Sequence, residues 1–207
     1  MLASDILSRV TDQLNDAGYT RWTEAEVLRY MSDGQREIAM KLPRAVAKTS
    51  VVQMAANDTR QSIPADGSSL IRVSRNMGSD GATPGNDITL ADRETLSKFN
   101  PGRHSAVGST VIKHYLYEAD DNPYEFEVEP RTHATTPVYA ELVYAQIPAE
   151  LTTNTDTLTV IDTYSNALVE YTTYRTLDKE TEYGGPDGRA AAHLGRFYAA
   201  LGVSGSN

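Results

Sequence analysis

The sequence contains no cysteine. This absence excludes disulfide bonds and metal sites built from thiolates, and it suits a protein made in a reducing compartment. Histidine is scarce as well. The four histidines, His104, His114, His133 and His193, show neither HxH nor HExxH spacing. We therefore expect no metal ion and no other cofactor.

Long apolar runs are also absent. No stretch approaches the ~20 apolar residues that a membrane-spanning helix needs. The first residues, MLASDILSRVTDQL, carry charges throughout, whereas a signal peptide has an apolar centre. We therefore expect a protein without membrane contact, made and used in a cytoplasm or in an assembly built there.

Positively charged residues are fewer than negatively charged ones. The 207 residues include 19 Lys and Arg against 28 Asp and Glu, a formal net charge of -9. A protein that binds DNA without regard to sequence normally carries the opposite sign, so this class of function is disfavoured. Hydrophobic residues make up 40% of the chain and charged residues 23%, proportions typical of a folded domain with a core.

Motifs for nucleotide or acyl chemistry are missing. The chain has no GxSxG, no GxxxxGK[ST] and no GxGxxG before a helix. The glycines between Gly78 and Asp87 lack the lysine and the strand-to-helix setting of a phosphate loop. They predict a polar surface loop.

Two helices are predicted at the start of the chain. Apolar residues recur at helical spacing over residues 4–17. Thr23 and Glu26 then form a capping-box pattern that begins a second helix, and Pro43 marks its end. Gly34 stands in the apolar stripe of this second helix.

Gly34 costs about 1 kcal/mol in helix propensity relative to alanine. Because glycine has no side chain, another helix can approach closely at this position. We predict a helix–helix contact at Gly34, with the first helix or with a C-terminal helix as the neighbour. The alternative is a glycine that is tolerated without a role.

The middle of the chain changes from helical to alternating spacing. TSVVQMAANDTRQSIP predicts a hairpin with Asn57 and Asp58 in its turn, and several further strands follow. We predict an α+β fold: residues 1–46 and 156–207 form a helical bundle, and residues 47–155 form an inserted antiparallel, sandwich-like β-rich domain.

The stretch YEFEVEP places Glu125, Glu127 and Glu129 on one side of a strand. Alternate carboxylates on a strand stand about 6–7 Å apart, a separation that glycosidases use. A catalytic pair also needs one carboxyl group in a buried site that raises its pKa. We favour a solvated acidic face, or a negative surface facing another negative surface, over a catalytic pair.

The last predicted helix is RAAAHLGRFYAALG, followed by the tail VSGSN. The residues expected to face the bundle are Ala191, Leu194, Tyr198 and Leu201. His193, Arg196 and Phe197 then lie nearer the other side, and arginine and phenylalanine are enriched at interfaces.

The tail after this helix is expected to be mobile and able to order against a partner. The residues proposed for an interface with a partner or with another copy of the chain are His193, Arg196, Phe197, Val203, Ser204 and Asn207. The alternative is a helix that only completes the core and a tail without a role.

The order of these elements resembles a known family. RWTEAEVLRYMSDGQREIAMKLP resembles the second helix of the bacteriophage head-to-tail adaptor (connector) proteins of short-tailed phages. IDTYSNALVEYTTYRTLDKE, followed by RAAAHLGRFYAALG, resembles the helix pair that closes that family. The matching positions are Trp22, Thr23, Tyr30, Gly34, Gln35, Ala167 and Leu168.

The resemblance implies a virion structural protein and not an enzyme. Such adaptors bind the portal protein as a ring, usually of twelve copies, and present a platform for tail nozzle, tail tube and fibre proteins. DNA passes through without specific binding. Twelve copies would carry 12 × -9 = -108 formal charges, and a lumen wall of that sign repels phosphate. The alternatives are another phage tail-completion protein and a carbohydrate-binding or carbohydrate-hydrolysing β-domain.

Overall fold

The structure is a computed structural model that describes residues 1–184 and 188–203. The elements in chain order are α1 (Ala3–Leu14), α2 (Glu24–Lys41), β1 (Ala47–Gln53), β2 (Arg60–Ser62), β3 (Gly67–Asn76), β4 (Thr89–Leu90), α3 (Arg93–Phe99), β5 (His114–Leu116), β6 (Glu125–Glu129), β7 (Tyr139–Gln146), α4 (Ser165–Gly184) and α5 (Gly188–Leu201). Short 3-10 turns cover Pro43–Val46 and Asp162–Tyr164. The α+β fold class is confirmed.

The chain divides into two compact units. One is helical and combines Met1–Val46 with Ile147–Asn207; the other is Ala47–Gln146 and holds all seven named strands. The first boundary falls between Val46 and Ala47. The second falls between Gln146 and Ile147, so residues 147–155, which the sequence analysis assigned to the β-rich domain, lie in the helical unit.

Leu151 explains this difference. Its side chain is buried, and its N–H donates to the Ser32 hydroxyl of α2 at 2.9 Å. The sequence around Leu151 is polar and threonine-rich, so it predicts a loop after the last strand. The long-range contact with α2 leaves no trace in local periodicity.

The connection between α1 and α2 is closed by Asp16. Its carboxylate accepts the hydroxyl of Thr20 at 2.6 Å and the N–H groups of Thr20, Arg21 and Trp22 at 2.9–3.1 Å. The Thr20 hydroxyl is the largest influence, and with these N–H groups it lowers the pKa of Asp16 to about 2, against the opposing effect of burial. Thr23 then caps α2, as predicted, by accepting from the Glu26 N–H at 3.3 Å.

The β-rich unit contains two sheets. One has the strand order β1-β7-β3 and is antiparallel; the other has the order β2-β6-β5-β4 and is antiparallel except for the parallel pair β4–β5. Side chains from both sheets pack in one cluster. Its members include Leu70, Val73, Tyr115, Phe126, Val128, Leu142 and Tyr144. The shared core gives the unit the predicted sandwich-like arrangement.

The hairpin predicted over TSVVQMAANDTRQSIP is wrong. The chain does turn at Asn57, which has a positive φ of 56°. However, β1 pairs with β7 and β2 pairs with β6, so the two strands lie in different sheets. The sequence between the two strands predicts a turn, but it carries no signal for the distant strands with which β1 and β2 pair.

Candidate functional site

Gly34 lies where α2 meets α4. The glycine is buried, and a Cβ built on it would stand 2.7 Å from Leu168 Cδ1 and 2.9 Å from Tyr171 Cδ1. Real Cβ atoms do not come this close to their neighbours. The neighbouring helix at this position is therefore α4, one of the two C-terminal helices.

Gln35, next to Gly34, makes hydrogen bonds to the chain segment that precedes α4. It is fully buried, and its side-chain oxygen accepts the N–H groups of Thr159 at 2.7 Å and Val160 at 3.3 Å. Together with Ser32, it fixes the stretch that leads from the strands back to α4. These hydrogen bonds are the structural role of Gln35, which the sequence marked only through the family resemblance.

The predicted orientation of α5 is wrong. Phe197 is completely buried, and its ring meets that of Tyr171 edge-on at a centroid distance of 5.0 Å. Ala191 is instead exposed. The sequence allows two apolar stripes that share Leu201, and burying an aromatic ring removes far more surface from water than burying a methyl group. Phe197 therefore completes the core and is not an exposed interface residue.

His193 and Arg196 lie around Glu170 of α4. His193 Nδ1 is 2.6 Å from Glu170 Oε2, and Arg196 Nη1 is 4.0 Å from the same oxygen. The His193 side chain is 15% exposed and that of Arg196 is 63% exposed. His193 thus links α5 to α4, whereas most of the Arg196 side chain is exposed to solvent.

The C-terminal end beyond α5 is described only as far as Val203. Gly202 adopts a positive φ of 69°, and the half-buried Val203 donates its N–H to Tyr198 at 3.2 Å. The proposed interface residues Ser204 and Asn207 lie outside the described residues.

The prediction of a free acidic face on β6 is wrong. Glu125 is 3.7 Å from Arg60. Glu127 pairs with Arg93 at 3.1 Å and with Arg103. Glu129 is itself buried, 8% exposed, and accepts from Asn100 Nδ2 at 2.8 Å. The chain between β4 and β5 supplies three of these partners and covers this side of β6.

Glu127 is the centre of this network. Burial raises its pKa, but hydrogen bonds from Arg103 and Arg93 outweigh burial and leave the pKa below its ordinary value. Arg103 is only 3% exposed, so its charge depends on Glu127 for compensation. A carboxylate held ionised in this way is poorly suited to donate a proton as a general acid. The arrangement favours a structural role.

The segment that carries Arg93, Asn100 and Arg103 has little core of its own. α3 has no buried residue, and Phe99 and Val107 are 85% and 90% exposed. Charged and polar contacts to the sheet hold it in place. Sequence reasoning missed these partners, because arginines 24 and 34 residues away from Glu127 show no pattern that links them to it.

Within residues 1–184 and 188–203, no group of three or more His, Asp or Glu side chains is placed to hold a metal ion. In the same part of the chain, no helix combines the length and the apolar character needed to cross a membrane.

Comparison with protein families identifies the family of the chain. The family model described as SU10 adaptor protein matches residues 1–207, the whole chain. A comparison with curated proteins gave no match.

Proposed function

Because the chain belongs to the SU10 adaptor protein family, we propose that it is a structural head-to-tail adaptor of a bacteriophage that docks on the portal protein. The observation that carries the proposal is the match over the whole chain, which includes both the helical unit and the β-rich unit. The role is assembly and not catalysis. The protein would be built into the virion at the head–tail junction from copies made in the host cytoplasm.

The adaptor would act as a ring, with twelve copies as the proposed number, that extends the DNA channel of the portal. The formal charge of -9 per copy supports a channel wall that repels DNA phosphates. Glu125, Glu127 and Glu129 are not proposed for that wall, because arginines or burial account for each of them. Tail nozzle, tail tube and fibre proteins would bind the opposite end of the ring.

The C-terminal end is the proposed portal contact. Arg196 is exposed on α5, and Val203 to Asn207 follow the last turn of that helix. Small residues after a packed helix can order against a partner. Phe197 supports this surface from the core and does not itself contact the partner.

Isolated copies are proposed to be monomeric or weakly associated. Bringing together chains that each carry -9 costs electrostatic work. A portal that already presents a ring of sites offsets this cost by raising the local concentration of bound copies. Ring assembly would therefore occur on the portal.

Co-sedimentation with purified portal rings from the same phage tests the proposal. The full chain should sediment with the portal, and a chain that ends at Gly202 should fold normally but bind more weakly. The control is Arg44→Ala, which changes an exposed residue of the same helical unit outside α5. A full chain that stays in the supernatant at all concentrations would contradict the proposed function.

A further inference from the structure

The outer edge of β1 is an open row of main-chain hydrogen-bonding groups. Met54 donates its N–H to Val138 at 2.8 Å, in register with the β1–β7 pairing. In an antiparallel pair, bonded residues alternate with residues whose N–H and C=O point the other way. Thr49, Val51 and Gln53 therefore direct these groups away from β7, and no partner for them occurs among the described residues.

This edge is long and regular. The pairing of β1 with β7 runs over seven residues without a bulge. Thr49, Val51 and Gln53 are exposed and uncharged, and the nearby Lys48 is paired with Asp66 at 2.7 Å. Proteins normally protect such an edge with a charge, a proline, a bulge or a covering segment. None of these devices occurs from Thr49 to Gln53.

The other three sheet edges are protected. β2 has three residues and β4 has two. β3 is long, but three register shifts interrupt its pairing with β7. Part of its outer edge is also occupied. The main-chain carbonyl of Ser74 accepts the N–H of Ile88 at 3.0 Å, and that of Asn76 accepts the N–H of Gly85 at 2.8 Å. The open edge of β1 is thus specific to that strand.

We propose that an extended segment of a neighbouring copy pairs with β1 and continues the sheet from one copy to the next. This inference rests on the proposed ring. Main-chain donors and acceptors in a row recognise another extended main chain. In a ring of identical copies, a strand donated by the neighbouring copy would give every β1 edge the same occupant.

Electrostatics supports the neighbouring copy as the occupant. Two chains of -9 repel each other over most of their surfaces. Thr49, Val51 and Gln53 form a strip without formal charge, so contact there adds little like-charge repulsion. Hydrogen bonds between main chains also need no charge of the opposite sign on the partner.

Val51→Pro is the sharpest test. Proline at residue 51 removes an N–H that points away from β7, and it leaves the β1–β7 hydrogen bonds of Ser50 and Val52 in place. Val51→Lys is a second variant that protects the edge with a charge and keeps the N–H. Leu90→Lys is the matched control, since it adds the same charge to an exposed apolar position of the other sheet. Circular dichroism should show that all three fold.

The readout is the binding isotherm on purified portal rings, with bound copies counted by native mass spectrometry. The parent and Leu90→Lys should bind cooperatively and fill the ring. Val51→Pro and Val51→Lys should bind single sites with unchanged affinity and lose cooperativity, so that rings of intermediate occupancy are the main species at subsaturating concentrations. Filled rings with unchanged cooperativity in both Val51 variants would overturn the proposal. Complete loss of binding would also overturn it, because the portal would then be what covers the edge.

A second arm separates this inference from the proposed function. If the parent does not bind the portal at all, the proposed function fails. Sedimentation equilibrium of the free chain at high concentration then decides the role of the edge. Val51→Pro should weaken self-association by about tenfold, the effect of losing one main-chain hydrogen bond. Equal self-association of parent, Val51→Pro and Leu90→Lys would contradict pairing through β1.

Discussion

Gly34 of α2 and Leu168 of α4 stand so close that a Cβ on Gly34 would lie 2.7 Å from Leu168 Cδ1. Leu168 is fully buried, and Tyr171 closes the same space from the next turn. The side chains on α4 therefore have little room to move. This contact accounts for a glycine in the middle of an otherwise regular helix.

Gly34→Ala should lower the stability of the helical unit. Alanine gains about 1 kcal/mol in helix propensity, but overpacking a buried contact costs about 1–3 kcal/mol. The matched control is Gly195→Ala in α5, where an added Cβ meets nothing within 4 Å. Thermal unfolding should show a decrease for Gly34→Ala and an increase for Gly195→Ala. A rise in melting temperature of similar size in both variants would show that a Cβ fits at Gly34 without overpacking the contact.

Glu127→Gln should destabilise the β-rich unit by about 2 kcal/mol or more, because it leaves the buried charge of Arg103 without compensation. Glu125→Gln on the same strand is the control. Its partner Arg60 is 69% exposed, so the change should stay within about 0.5 kcal/mol. Urea unfolding followed by circular dichroism measures both. Equal, small changes in the free energy of unfolding would mean that the Glu127–Arg103 pair stabilises the fold no more than an exposed ion pair does.

Phe197→Ala should lower the free energy of unfolding by about 3–5 kcal/mol, the cost of removing a buried aromatic ring. The melting temperature should fall by about 10 °C. Arg196→Ala, its exposed neighbour, should leave stability within about 0.5 kcal/mol of the parent. Any loss of portal binding in Phe197→Ala should therefore follow its loss of folding. A Phe197→Ala protein as stable as the parent would contradict the role of this ring in the core.

Asp16 should make the helical unit sensitive to acid. Its pKa in the folded protein is about 2, against an ordinary 3.8. A group with a lowered folded pKa stabilises the fold above the ordinary value, and this contribution is lost as the pH falls towards the folded pKa. The stability difference between the parent and Asp16→Asn should be constant above about pH 5 and shrink between about pH 4 and 2.

Urea unfolding at a series of pH values measures this difference, with Asp12→Asn, an exposed position in the last turn of α1, as the control. The difference in free energy of unfolding between the parent and Asp12→Asn should be small at every pH of the series. A difference between parent and Asp16→Asn that stays constant down to pH 2.5 would contradict the assigned pKa.

The sequence predicted the helices well, because their signals are local. Apolar spacing and the Thr23 cap identify α1 and α2 without reference to the rest of the chain. Gly34 was also marked by its position in an apolar stripe. The family resemblance, now matched over the whole chain, pointed to the adaptor role.

The failures all involve contacts between distant residues. β1 pairs with β7 and not with β2, and Glu127 pairs with arginines from another segment. Strand alternation shows which residues share a side, but it does not show what covers that side. For α5, two stripes of similar apolar content were possible, and only packing against α4 decides for Phe197.

Native mass spectrometry of the chain mixed with purified portal rings counts the copies bound to each ring, and so tests directly whether the chain assembles on the portal. We expect the free chain to appear mainly as a monomer, and one population with twelve copies per portal ring to form as the chain is added. A closed ring of the free chain at moderate salt would contradict assembly on the portal. The absence of any portal-bound copies at saturating concentration would contradict the adaptor function itself.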